Sequence, residues 1–172
     1  MMSTKGNGSE HPSDRKKSRS SGAKRSRSGA FKTAHSALRT KLERAADGLE
    51  YWSESQYPFW FFTLPSNESS LTPEGFLSLL GLTESFLDDL HLKAVQFIEA
   101  RSIDDFFKNS TDMSNPERVP EARRFKKLVS LLKKELQDVK VFRVGQVEIR
   151  CYIAGLDGVG EIVGLVTTAI ET

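Results

Sequence analysis

Residues 140–170, KVFRVGQVEIRCYIAGLDGVGEIVGLVTTAI, decide the fold. Three segments, Lys140 to Val144, Val147 to Ala154 and Glu161 to Ile170, are rich in β-branched and aromatic residues and read as strands. In the middle one, Val147, Ile149, Cys151 and Ile153 recur at every second position, the period of a strand with one face on a core. Gly145-Gln146 and Gly155-Leu156-Asp157-Gly158 separate the segments. Both connections are too short to carry a crossover helix, so the strands must run as an antiparallel meander.

Immediately before this block lies the clearest helix. Pro120 opens it, and Phe125, Leu128, Val129, Leu132 and Leu136 form one apolar face. Arg123, Lys126, Lys127, Lys133 and Lys134 lie mostly elsewhere and read as a solvated face. Further upstream, Asn109 to Pro120 is a long polar loop, and Ser102-Ile103-Asp104-Asp105-Phe106-Phe107 is a capped helical turn. Leu92 to Arg101 reads as a strand. Thr72-Pro73-Glu74 starts a helix with Thr as cap and Pro at the first position, and Thr83 can cap a second that runs to Leu90. Pro65 to Leu71 is a loop, and Phe59 to Leu64 is a short aromatic strand expected to be buried on both faces. Ser53 to Pro58 is a polar loop ending in a breaker. Leu38, Leu42, Ala45, Ala46 and Leu49 fall at helical spacing, which predicts an amphipathic helix from about Ala34 to about Gly48. Helices first and in the middle with hairpins last predict an α+β fold, layered around one mainly antiparallel sheet.

The charge is distributed unevenly. Residues 1–35 hold nine Lys/Arg against Glu10 and Asp14, a net +7, and the remainder holds 16 basic and 21 acidic residues, a net −5. Residues 1–33 are mostly Ser, Gly, Lys and Arg, with little to bury against their ordering entropy, and are expected to form a disordered basic tail. Residues 34–172 are expected to form the folded domain. An acidic body is unlike a domain that grips DNA. The tail could make weak, sequence-independent phosphate contacts, and Arg15-Lys16-Lys17 with Lys24-Arg25-Ser26-Arg27 resembles a two-part nuclear localisation signal. No stretch is apolar for about 18 residues, so no membrane helix is expected. The N-terminus lacks the apolar core of a secretory signal. Its single cysteine, Cys151, sits among apolar neighbours and reads as a small buried hydrophobe. An intracellular protein, cytoplasmic or nuclear, is the expectation; the Ser/Arg-rich, acid-poor N-terminus also has the composition of a transit peptide, a reading that its weak amphipathicity disfavours.

Catalytic patterns are missing. His11, His35 and His91 have no second His or Cys at metal-ligand spacing. Gly155, Gly158, Gly160 and Gly164 lie in a hairpin region and open no helix, and no Ser has a nucleophile-elbow setting. Asp88-Asp89 and Asp104-Asp105 fit solvated or capping roles. The reading is therefore non-enzymatic: no catalytic residue, no cofactor, and no metal bound by the free protein.

Three segments carry a resemblance. They are Ala46-Asp47-Gly48-Leu49 with Ser53-Glu54-Ser55-Gln56-Tyr57-Pro58-Phe59; Ser102 to Phe107; and the block from Phe125 through Val141-Phe142-Arg143-Val144-Gly145 and Val147-Glu148-Ile149 to Ile170-Glu171-Thr172. In that order and at that spacing, across roughly residues 38–172, the chain resembles the nuclease A inhibitor family. The resemblance implies a three-layer α/β/α sandwich similar to that of plant pathogenesis-related proteins. It implies a protein that is monomeric when free and forms a one-to-one complex with a sugar-nonspecific ββα-metal nuclease. It further implies that Glu54 reaches the nuclease's catalytic metal, that the carboxylate of Thr172 contributes nearby, and that a carboxylate from Asn109 to Glu117, taken as Asp112, assists. Tyr57, like Trp52, fits either an interface anchor or a core position. The basic tail is additional to the family pattern, and Pro65 to Leu92 is more helical and Leu-rich than that pattern. Two other readings stand beside this one: an interaction module of the same fold with a different partner, and a nucleic-acid-associated protein acting through its tail.

Overall fold

The computed structural model describes residues 26–65, 71–83 and 97–172. Most of the tail, residues 66–70 of the expected loop, the helix expected to follow Thr83, His91 and the first part of the strand expected from Leu92 lie outside them. The elements are α1 (Ser26–Ala46), β1 (Glu50–Trp52), β2 (Gln56–Pro58), β3 (Trp60–Leu64), α2 (Pro73–Leu79), β4 (Ile98–Ser102), α3 (Ile103–Phe106), a 3-10 turn (Pro116–Arg118), α4 (Val119–Glu135), β5 (Gln137–Val144), β6 (Glu148–Leu156) and β7 (Ile162–Ile170). Five strands form one antiparallel sheet in the order β3-β7-β6-β5-β4, and β1 pairs with β2 in a separate hairpin. The C-terminal meander is the centre of this sheet, as its apolar alternation predicts.

Alternate side chains of the sheet enter two cores. On one face Val141, Ile149, Cys151, Ile153, Val163 and Leu165 pack against α1, α3 and α4 through Leu42, Phe107, Phe125, Leu128 and Leu132. On the other, Phe142, Val144, Ala154, Leu156 and Ile162 pack against α2 through Phe76 and Leu77. Phe76 stacks on Phe142 with ring centroids 4.4 Å apart. The result is an α/β/α arrangement. The inner strand β7 is covered on both sides and so reads as a nearly unbroken apolar run. Gly164 on β7 lies opposite Ala154, where a Cβ would stand 1.8 Å from the carbonyl oxygen of Ile153.

Local signals act as expected at several ends. The Thr72 side chain accepts from the Gly75 N–H at 3.1 Å, with Pro73 opening α2. Ser102 accepts from the Asp105 N–H at 3.0 Å to cap α3. Asp138 has a positive φ of 49° at an irregularity in β5. Its carboxylate accepts from the Leu71 N–H at 3.0 Å and from Lys140 Nζ at 3.1 Å, tying the lead-in to α2 onto the sheet. His35 of α1 meets Asp157 in the β6–β7 turn, Nε2 to Oδ2, at 2.5 Å, and Asp157 also organises that turn by accepting from the N–H groups of Val159 and Glu161.

Four expectations need correction. Helical backbone begins at Ser26, upstream of the expected Ala34, with no proline between them to stop it. Ser53 to Pro58 is more than a loop: three-residue strands flank its turn, too short to show an alternating pattern. Phe59 to Leu64 yields β3, which is a sheet edge with Trp60 half exposed and not a doubly buried strand; the aromatic run resembles a central strand but pairs only with β7. Within the described part of the strand expected at Leu92 to Arg101, Phe97 is not in the strand, which runs Ile98–Ser102 at the sheet edge with only Ile98 buried.

Candidate functional site

The β1–β2 hairpin stands beside the C-terminal end of β7. Its turn, Ser53-Glu54-Ser55, is closed internally by the Ser53 N–H donating to the Ser55 carbonyl at 2.9 Å. It is also bonded to β7: Ser53 Oγ accepts from the Ile170 N–H at 2.9 Å, and the Glu54 N–H donates to the Ile170 carbonyl at 3.3 Å. Lower in the hairpin, buried Thr167 donates its hydroxyl to the Tyr57 carbonyl at 3.1 Å, and Tyr51 stacks on Phe106 at 4.4 Å between centroids. These contacts explain how three-residue strands persist: the hairpin is a flap fastened to a covered sheet.

Fastening the turn brings together two of the candidate residues. The exposed carboxylate of Glu54 accepts from the Thr172 N–H at 3.1 Å and from the Thr172 hydroxyl at 2.9 Å. Between them, the Glu171 N–H donates to the Val147 carbonyl at 3.1 Å. The last three residues are thus bonded in turn to the hairpin, to the β5–β6 connection and to Glu54.

Asp112 and Tyr57 are placed differently. Asp112 stands on the 109–115 loop, where its carboxylate accepts from the Ser114 hydroxyl at 2.7 Å and from the Ser114 N–H at 2.9 Å. The hydroxyl bond foremost, then the N–H bond, holds its pKa below the usual carboxylate value. The loop ends in the 3-10 turn, capped by Asn115, and there Arg118 lies over Trp52, its guanidinium carbon 5.5 Å from the ring centroid. The Asp112 loop therefore approaches the hairpin through Arg118 and Trp52, not by a bond to Glu54. Tyr57 is half-buried, on the hairpin's second strand. Trp52 is 53% exposed, which settles its open assignment in favour of the surface.

Two features escape a reading of the sequence. The Arg118–Trp52 contact joins residues far apart in the chain and has no local sign. Arg143 does have one: it shares the inward parity of Val141 in β5, an unusual place for a cation. It is buried, with Nη1 donating to Glu99 at 2.9 Å and Nη2 to Glu171. Burial, the largest single influence, opposes its charge, but the bond to Glu171, that carboxylate's charge and the neighbouring Cys151 together outweigh it and raise its pKa above the usual arginine value.

Among the described residues, no three His, Cys, Asp or Glu side chains group so as to hold a metal ion. Cys151 is fully buried, and that burial pushes its thiol pKa up to about 11, the opposite of an activated nucleophile. What the surface offers is a carboxylate at a hairpin tip, hydrogen-bonded to Thr172, with an exposed tryptophan in the same hairpin and a guanidinium over that ring. Such a surface can present hard oxygen donors to another molecule.

No curated protein matches the chain. A family model, nuclease A inhibitor-like protein, matches residues 36–172. That span takes in the hairpin, the sheet and both cores, well over half of the sequence, and so the chain belongs to the nuclease A inhibitor-like family, a family of nuclease inhibitors.

Proposed function

We propose that this protein forms a one-to-one complex with a sugar-nonspecific ββα-metal nuclease and blocks its catalytic cation with Glu54, assisted by the carboxylate of Thr172. The observation that carries this reading is the bonding of Glu54 to Thr172 at a hairpin turn that is itself bonded to β7. A nuclease of this class holds a hard divalent cation with an open position for a phosphate oxygen. A carboxylate offers the same hard, negative oxygen without a phosphorus to attack. Because the turn is already ordered, docking costs little conformational entropy. Trp52 supplies a large apolar ring next to the charged tip, the kind of side chain that dominates interface energetics. Asp112 acts at the margin, and Tyr57 supports the hairpin from within.

The test is a titration of a sugar-nonspecific ββα-metal nuclease with the full chain, followed by DNA and RNA cleavage. Activity against both nucleic acids should fall together and reach its floor at one inhibitor per nuclease. Undiminished cleavage at a large molar excess, across several such nucleases, would remove the reading.

A further inference from the structure

We propose that Arg143 is a positioning residue for the Glu54–Thr172 pair, acting through Glu171; the inhibitory consequence rests on the function proposed above. Arg143 is 5% exposed, and Nε, buried with the rest, has no hydrogen-bond partner. Its two terminal nitrogens are taken by Glu99 from the edge strand and by Glu171 from beyond β7. Both carboxylates are about half exposed and, with Gln146 and Gly145, line a notch of about 290 Å³ beside the chain's last residues.

An ion pair of one buried and one half-exposed partner is weak as a stabilising device, because desolvating the guanidinium offsets part of an attraction that water already screens at the carboxylates. An incompletely satisfied guanidinium is weaker still. What the cluster does accomplish is orientation. Glu171 is held twice, by its N–H to Val147 and by its side chain to Arg143. Its neighbour Thr172 is then only a few soft dihedrals from a fixed point, and its N–H and hydroxyl fall on the Glu54 carboxylate. Without the Arg143 contact, residue 171 keeps one backbone bond and the segment after β7 is free to fray. Arg143 thus lies behind the proposed metal-facing carboxylates without touching the partner.

Glu171→Ala is the main test, since it changes a half-exposed group, leaves the core intact and, unlike Gln, keeps no oxygen for Arg143; Arg143→Met is the second variant. In the free protein, the heteronuclear NOE of the Thr172 amide should drop from a rigid value to that of a frayed end in both variants. Against the nuclease, Glu171→Ala should weaken inhibition about ten-fold, and the same change made on top of Glu54→Gln should cost about two-fold or less, since residues of one hydrogen-bonded network are non-additive. A structural role alone would not produce that coupling. An unchanged Thr172 amide in Glu171→Ala, or equal penalties in the two backgrounds, overturns the proposal. If the wild-type chain inhibits no nuclease, the function proposed above fails, and the amide measurement still decides whether Arg143 positions Thr172.

Discussion

Replacing Glu54 by Gln removes one charge while keeping size and one carbonyl-type oxygen. In the free protein that carboxylate accepts from the Thr172 N–H and hydroxyl, both at the surface. The amide oxygen of Gln can keep at least one of these bonds. The change then costs the difference between a charge-assisted and a neutral hydrogen bond, about 1 kcal/mol or less at an exposed site. For a chain of this length, a loss of that size lowers Tm by roughly 2–4 °C at most. At the proposed interface the balance is different. The same oxygen would face a divalent cation in a water-poor site, where truncating one member of a charged contact costs about 2–5 kcal/mol. Inhibition should therefore weaken by roughly thirty-fold to several-thousand-fold, since ~1.4 kcal/mol is ten-fold. Glu54→Asp, which keeps the charge and withdraws it by one methylene, should fall between wild type and Glu54→Gln. The assay is a nuclease inhibition titration at fixed ionic strength, with thermal melts of each variant as control. A folded Glu54→Gln protein that inhibits as well as wild type would refute the metal-facing role and move the docking surface elsewhere.

Four further outcomes are expected. Trp52→Ala should weaken nuclease binding by about 2 kcal/mol or more in a calorimetric titration, the size of a hot spot, while leaving Tm almost unchanged because the ring is half exposed; full affinity would exclude it from the interface. Gly164→Ala should destabilise the domain by about 1–3 kcal/mol or more in a urea melt, because the new Cβ would meet the Ile153 carbonyl oxygen; unchanged stability would show that the β6–β7 contact is looser than described. The pKa of Asp138 is lowered, chiefly by the Leu71 N–H and then by Lys140, so its contribution is complete above the ordinary value of 3.8 and is lost as pH falls through the lower folded value. The Tm advantage of wild type over Asp138→Asn should accordingly shrink as pH drops below about 4, and an advantage that grows with acid would reverse the sign of that argument. Cys151, buried and with its thiol pushed up to about 11, should resist an alkylating reagent at pH 8 until the protein is unfolded; rapid labelling of the native state would contradict its burial.

The sequence alone determined whatever rests on periodicity and end chemistry. The three C-terminal strands declare themselves by alternation and glycine turns, α4 by its apolar stripe, α2 and α3 by Thr72-Pro73 and Ser102. These signals are local, because each arises from residues within a turn or a pleat of one another. The family segments add Glu54 and Thr172 as residues to watch, but nothing in the chain states that they touch. Only the tertiary structure decides that, by laying a short hairpin against the end of β7 and bonding residues 118 positions apart. It also decides that β3 is an edge, that Trp52 faces outward under Arg118, and that Arg143 is shared between Glu99 and Glu171. The physical reason is the same in each case. Exposure and long-range bonding depend on which element lies over which, and the same apolar or charged residue satisfies its local rules equally well in the core, at an edge or at a partner's surface.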